Sequence, residues 1–529
     1  MMAITGGLPP ATTIVGASSD APPPITESAI ARQFGRDGPG ALASGDMSIS
    51  TLYEHSDGVE IARAVREREV SPREVLDEAI ARAERVNPQL NAIAARRYDD
   101  ACVDAERNEP SGPFAGVPFL AKDLGPPLAG LPLTMGSRYF KNYVPTEDHE
   151  FFRRVKRAGA VIFAKTTAPE FGLLPYTETA LFGATRNPWD LERTPGGSSG
   201  GSAALCAAGV VPVAHGNDMG GSLRIPASCT GIFGFKPSRG RVPTSGGLIG
   251  DANVDLAVSR SVRDSAALFD AVRNDGGDAA FGHTSGDPRP LRIALVRGNM
   301  LGHGISAEAR EAADRAAKLC ESLGHTVVED EPAGVDYNAA SYALLLMFAS
   351  QTGWHLGSGN PTPKHRLGRD DIEPVSSAML TIARTLPLDE ITGAVATQRA
   401  ITAAYEAFME GYDAMLMPTL AAPAVRIGEL ALKKSEIVQI GVLNRLRVPA
   451  LIRKAARDIA ARMFDWLPYT PVFNLTGQPA MSVPLHWTSD GLPMGVQFAG
   501  RVNDDETLYA LAGQLERAQP WFDRRPPIV

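Results

Sequence analysis

The chain has 529 residues, 44 % of them apolar and 21 % charged. That composition supports a large packed core and excludes whole-chain disorder. A formal net charge of −8 argues against a general nucleic-acid binder, which needs a basic face to displace counterions.

Cys102, Cys206, Cys229 and Cys320 lie far apart with no CxxC spacing and read as reduced thiols of a cytosolic protein. No apolar window approaches transmembrane length. The N-terminus has neither the basic start nor the apolar run of a secretory signal.

Residues 1–46 are rich in Pro, Gly, Ala, Ser and Thr and read as a flexible extension; an arm packed on a partner subunit is the alternative. Val59, Ala62 and Val65 recur at helical spacing. Ser71-Pro72-Arg73-Glu74 has the form of a capping box with proline at the first helical position. The helix it starts is expected to stop at Asn87-Pro88. From Gly116 on, the apolar runs Val117–Ala121, Val161–Ala164 and Val210–Ala214 alternate with helical stretches, which is α/β patterning. The polar stretch 274–290 reads as a linker. After it, Leu291–Val296, Ser306–Leu323 and Thr326–Val328 form a strand–helix–strand unit. Residues 336–410 read as mostly helical, and Met415–Met417 and Ala480–Val483 as buried strands. Residues 434–466 form a helical segment with six basic side chains from Arg445 to Arg462; it reads as a solvated surface helix, with a lid or membrane-surface segment as the alternative.

The chemistry concentrates in two glycine-rich loops. Gly196-Gly197-Ser198-Ser199-Gly200-Gly201-Ser202 can be neither a helix interior nor an ordinary strand. It leads directly into the small-residue stretch Ala203–Ala208, so it is expected to feed a helix N-terminus. The second loop, Asp218-Met219-Gly220-Gly221-Ser222-Leu223-Arg224, again presents Gly-Gly-Ser after an apolar strand. Such a turn can point several N–H groups one way beside a serine, the arrangement an oxyanion hole requires. A nucleophilic serine needs a base. His215 is near in sequence, but in an apolar strand it reads as a core histidine. Lys122, ending the run from Gly116 to Asp123, is ordinarily a snorkelling surface residue; buried, it becomes a neutral amine and a base. Gly196–Gly200 fits the G-x-S-x-G string of α/β-hydrolases, but polar Asp190–Pro195 replaces the strand that motif requires. There is no HExxH, paired-cysteine zinc pattern, phosphate-binding GxxxxGK[ST] or EF-hand loop, so no cofactor or metal is expected.

Lys122 with its flanking run, the Gly-Gly-Ser-Ser-Gly-Gly-Ser loop and the loop from Asp218 to Pro226 together resemble the amidase signature family. Further matching segments are Lys165–Gly172, Phe182–Trp189, Gly231–Gly240 and Phe473–Ala480. Thr167 departs from the pattern, standing where many members have Asn, which could alter the pocket.

The resemblance implies an α/β fold: a central mixed β-sheet covered by helices on both faces. It implies one domain over 47–529, with a core at 110–270 and variable pocket or lid regions at 336–410 and 434–466. It implies hydrolysis of linear or cyclic amides, with aryl amides and carbamates among the allowed substrates, or alternatively the ammonia-releasing A-type subunit of an amidotransferase. Catalysis would use Ser222 as nucleophile, Ser198 after a cis peptide bond as the bridge, and Lys122 as the base. Backbone N–H groups of Met219, Gly220, Gly221 and Ser222 would hold the oxyanion; Ser199, Asp218 and Arg224 would support the loops. The expected partner is a small amide molecule, with no nucleic acid and no integral membrane association. A homodimer is the assembly the resemblance allows, and the cytoplasm the expected compartment.

Overall fold

In the computed structural model the described residues are 48–528, except 108–110, 246–251, 276–278, 303, 358–365 and 369. The chain divides into residues 1–42 and 43–529. The expected extension over 1–46 lies outside the described residues. The rest builds an 11-stranded mixed sheet flanked by helices.

The strands are β1 (Ile93–Arg96), β2 (Pro118–Lys122), β3 (Val161–Thr166), β4 (Val213–Asp218), β5 (Phe233–Lys236), β6 (Val254–Ser259), β7 (Arg292–Leu295), β8 (Thr326–Glu329), β9 (Ala414–Pro418), β10 (Ala480–Trp487) and β11 (Pro493–Gly500). Their order across the sheet is β1-β3-β2-β4-β6-β5-β10-β11-β9-β7-β8. Strand β2 runs parallel to both β3 and β4, and β4 is antiparallel to β6. Every residue of β2, β3, β4 and β6 is buried, which explains their near-continuous apolar runs. The polar exceptions, Lys122, Lys165, Thr166, His215, Asn217, Asp218, Asp255 and Ser259, are therefore buried as well, on four adjacent strands of the sheet.

Helix α1 (Pro72–Leu90) starts at the expected capping box on Ser71, but it does not stop before Pro88. The proline falls in the last turn, and Asn91 ends the helix in a left-handed conformation. The Asn87 side chain then accepts from the Ala92 and Ile93 N–H groups, so the chain turns into β1 without orphaned donors. Helix α2 (Gly200–Ala207) follows the glycine–serine loop as expected, and α3 (Arg224–Thr230) follows the second loop. Strand β7, helix α4 (Ala307–Ser322) and the parallel β8 form the expected crossover unit. Residues 274–290 are not a free linker: Ala280 is buried and a short helix, Ala280–His283, is tied to the Asp270 carboxylate through the Ala280 and Phe281 N–H groups.

The expected helical region after 336 contains α5 (Tyr337–Leu356), α6 (Pro374–Thr385) and α7 (Leu388–Met409). The basic segment is two helices, α8 (Lys434–Leu446) and α9 (Pro449–Met463). No residue of α8 is buried. Among the described residues no helix is long and apolar enough to cross a membrane.

Candidate active site

Strands β2 and β4 are neighbours with Leu120 opposite Ala214, so the C-terminal ends of both reach the same region. Lys122 is the last residue of β2 and is fully buried. Its Nζ lies 2.7 Å from Ser198 Oγ, 3.0 Å from Ser199 Oγ and 2.5 Å from Asn217 Oδ1. Burial pulls the ammonium down from its ordinary 10.5 to about 7, against the opposing attraction of the Asp255 and Asp218 carboxylates. A lysine that sequence alone reads as a surface cation is thus a buried amine poised to be neutral.

The glycine–serine loop comes to this amine because its glycines allow close packing. The Gly197–Ser198 peptide is cis. A Cβ on Gly201 would stand 2.5 Å from Thr167 Oγ1 and 2.6 Å from the Thr167 N. Thr167, the departure from the family pattern, does not face an open pocket. It is buried, bonded to Thr185 Oγ1 at 2.7 Å and to the Ala92 carbonyl at 3.3 Å.

The second loop is braced by Asp218 and Arg224. The fully buried guanidinium meets the carboxylate twice, Nε to Oδ2 at 3.0 Å and Nη2 to Oδ1 at 2.9 Å. Its remaining donors go to Asn474 Oδ1, the Thr470 carbonyl and Gln497 Oε1. Burial alone would raise the Asp218 carboxyl; Arg224 and Asn474 bring it down to about 2. Asp218 also accepts from the Gly221 N–H at 2.7 Å and the Leu223 N–H at 3.2 Å. The Gly221 amide, expected among the oxyanion donors, is thus already engaged. The amides of Met219, Gly220 and Ser222 have no acceptor among the described residues.

Ser199 ties the two loops together. Its N–H donates to the Ser222 carbonyl at 3.3 Å and its hydroxyl to the Asn217 carbonyl at 3.3 Å. Ser222 is 8 % exposed, and its hydroxyl makes no hydrogen bond among the described residues. The structure therefore brings Lys122, Ser198 and Ser199 into direct side-chain contact and joins Ser222 to them through the backbone.

Further side chains surround these groups. His215 lies in the core as expected, but its Nδ1 accepts the Lys122 N–H at 3.2 Å and its Nε2 lies 3.3 Å from Asp255 Oδ1. Burial first, then Lys122 and Lys165, hold its pKa well below the ordinary 6.5. Asn217, two residues further along β4, shares its face. Thr470 donates to the Gly220 carbonyl at 2.8 Å, and a Cβ on Gly220 would lie 3.2 Å from the Phe348 ring. The period-2 pairing of His215 and Asn217 was readable in the sequence; the contacts from Phe348 and Thr470 were not.

Among the described residues no cluster of His, Cys, Asp and Glu suits a metal ion.

The amidase family profile matches residues 74–509. A 6-aminohexanoate-cyclic-dimer hydrolase of Paenarthrobacter ureafaciens is 36 % identical over 515 residues, 91 % of this chain and 98 % of that protein. A solved structure of a 6-aminohexanoate cyclic dimer hydrolase with substrate superposes with a TM-score of 0.80, at 34 % identity, over 90 % of this chain and 99 % of that one. A lipoamidase of Enterococcus faecalis is 34 % identical over 88 % of this chain and 63 % of its own. The A subunit of a glutamyl-tRNA(Gln) amidotransferase from Thermotoga maritima is more distant, at 27 % identity and a TM-score of 0.66 over 90 % of this chain and 95 % of that one. The chain belongs to the amidase signature family and is an amide hydrolase.

Proposed function

We propose that this amidase cleaves small linear or cyclic amides through an acyl-enzyme on Ser222. The observation that carries the reading is the buried Lys122 amine, 2.7 Å from Ser198 Oγ and with its pKa near 7.

Lys122, neutral, accepts the Ser198 proton as Ser198 accepts the proton of Ser222. For this the Ser222 hydroxyl turns toward Ser198 when substrate binds; catalytic hydrogen bonds commonly tighten only in the substrate complex. The Ser222 oxygen attacks the amide carbon, and the amides of Met219, Gly220 and Ser222 face the developing oxyanion. A donor of that kind lowers the barrier by about 3–4 kcal/mol. The proton returns through Ser198 to the leaving amine, the C–N bond breaks, and water hydrolyses the ester by the same relay in reverse. Asp218 and Arg224 keep the loop rigid and take no proton.

The relatives named for cyclic-dimer hydrolysis and lipoamide cleavage support an amide of an aliphatic acyl chain over glutamine. The test is a panel of aliphatic amides, lactam oligomers, anilides, carbamates and glutamine, with Ser222→Ala as the blank. Turnover confined to glutamine would favour the amidotransferase alternative. Turnover that survives Ser222→Ala would reject the acyl-enzyme.

A further inference from the structure

Lys122 Nζ has three oxygen neighbours, and a neutral amine has two N–H donors and one lone pair. Which neighbour meets the lone pair decides whether the amine can take a proton from Ser198. Asn217 settles one direction. Its Nδ2 faces the Leu124 carbonyl at 3.5 Å, so the amide oxygen is the atom turned to the amine. That oxygen can only accept. The amide is also hemmed in: a Cβ on Gly125, which has φ of 99°, would lie 2.6 Å from Asn217 Nδ2.

Ser199 settles a second direction. Its own hydroxyl proton is committed to the Asn217 carbonyl, so toward Lys122 its oxygen accepts. Both N–H bonds of the amine are then used, and the lone pair is left for the Ser198 hydroxyl.

We infer that Asn217 is a positioning residue whose amide oxygen, with Ser199, turns the Lys122 lone pair onto Ser198. The inference rests on the proposal that Lys122 is the base. The arrangement follows from β-strand periodicity: His215 grips the Lys122 backbone N–H, and Asn217, two residues on and on the same face, grips its Nζ. A neutral amide at this place fixes orientation without the charge that would hold an ammonium. The groups facing Lys122 are Asp218 and His215 on β4 and Asp255 on β6; His215 in turn faces Lys165 on β3, whose ion-pair partner is Asp123 at 3.5 Å. Asp218 is committed to Arg224, and His215 is neutral. His149, before the helix Glu150–Arg157, faces Asp255.

The test compares wild type, Asn217→Asp and Asn217→Leu by kcat and KM as a function of pH, and by the rate at which a fluorophosphonate labels Ser222. Asn217→Asp places a carboxylate on the amine and is expected to move the rising limb from near pH 7 to about pH 9. At pH 7 that is a loss of about 50-fold in kcat and in labelling, recovered at alkaline pH. Asn217→Leu, which removes the acceptor, is expected to lower kcat by about 10- to 100-fold with KM within about 2-fold and no alkaline displacement of the limb.

An Asn217→Asp limb that stays where wild type has it, or an Asn217→Leu enzyme with wild-type kcat, overturns the inference. If Asn217→Asp does not fold, the kcat and KM of Asn217→Leu decide. Lys122→Met separates the two levels: if it labels like wild type, the base assignment itself fails; if it is dead while the Asn217 variants leave the limb in place, only this inference does.

Discussion

Arg224 lies fully buried against Asp218, meeting both carboxylate oxygens at 3.0 and 2.9 Å. The pair sits in the turn that carries Ser222. Neither charge can reach water, so each depends on the other, the guanidinium also on the Asn474, Gln497 and Thr470 acceptors and the carboxylate on the Gly221, Leu223 and Asn474 N–H donors. Asp218→Ala strands a buried guanidinium and is expected to cost about 3–5 kcal/mol. Replacing both, Asp218→Ala with Arg224→Met, is expected to cost less than that single change, because no charge is left unpaired. Urea unfolding of the three proteins measures this; a single variant within about 1 kcal/mol of wild type would contradict the brace.

The proposed relay acts as one unit, so its losses do not add. Ser222→Ala is expected to lower kcat/KM by about 10,000-fold or more, and Lys122→Ala and Ser198→Ala by about 1,000-fold or more. Combining Lys122→Ala with Ser198→Ala is then expected to be little worse than Lys122→Ala alone. Steady-state hydrolysis of one responsive amide gives all four values. Multiplying losses in the double variant would mean that the two side chains act separately.

Activity is expected to rise with pH through about 7, where burial has placed the Lys122 amine. Only the unprotonated amine can take a proton, so well below that value the rate falls about tenfold for each pH unit. A rate that holds constant into acid would remove Lys122 as the base.

The same depressed pKa has a consequence for stability. Lysine ordinarily titrates at 10.5, and Lys122 at about 7 in the fold. Between those values the unfolded chain binds a proton that the folded chain does not, so the group favours unfolding. This penalty is complete below about 7 and gone above 10.5. Lys122→Met removes it. The difference in Tm, variant minus wild type, is therefore expected to become more positive as pH is lowered from alkaline to neutral. Scanning calorimetry at several pH values reads this directly; a difference that does not change with pH contradicts the shift.

Gly201 lies where the first turn of α2 presses on Thr167. A methyl group there would approach the Thr167 backbone N at 2.6 Å, a contact that no rotamer change relieves. Gly201→Ala is expected to destabilise the protein by about 1–3 kcal/mol and to disturb the serine loop, lowering kcat. Chemical unfolding together with fluorophosphonate labelling checks both effects. Gly282→Ala is the control, since a Cβ there meets nothing within 4 Å.

The outline of the fold was legible where local chemistry dictates local structure. The capping box at Ser71, the alternation of buried strands with helices, and the strand–helix–strand unit from Arg292 to Glu329 all follow from side-chain period and cap residues. Pro88 shows the limit of such rules. Proline in a final helical turn was tolerated because Asn87 and Asn91 close the turn around it. The stretch 274–290 looked like a linker because its composition is polar, yet Asp270 fixes its short helix to the body.

By itself, the sequence determined which residues could do chemistry: two glycine–serine loops that must bring backbone close to something, and a lysine ending an apolar strand. What only the tertiary structure decided was the state of Lys122. Whether a lysine is a solvated cation or a neutral amine depends on the medium around it, and strands β3, β4 and β6, remote in sequence, supply that medium. The roles of Asn217, His215 and Asp255 were hidden for the same reason. Each acts through a neighbour on another strand, and pairing across a sheet is set by the whole fold rather than by spacing along the chain.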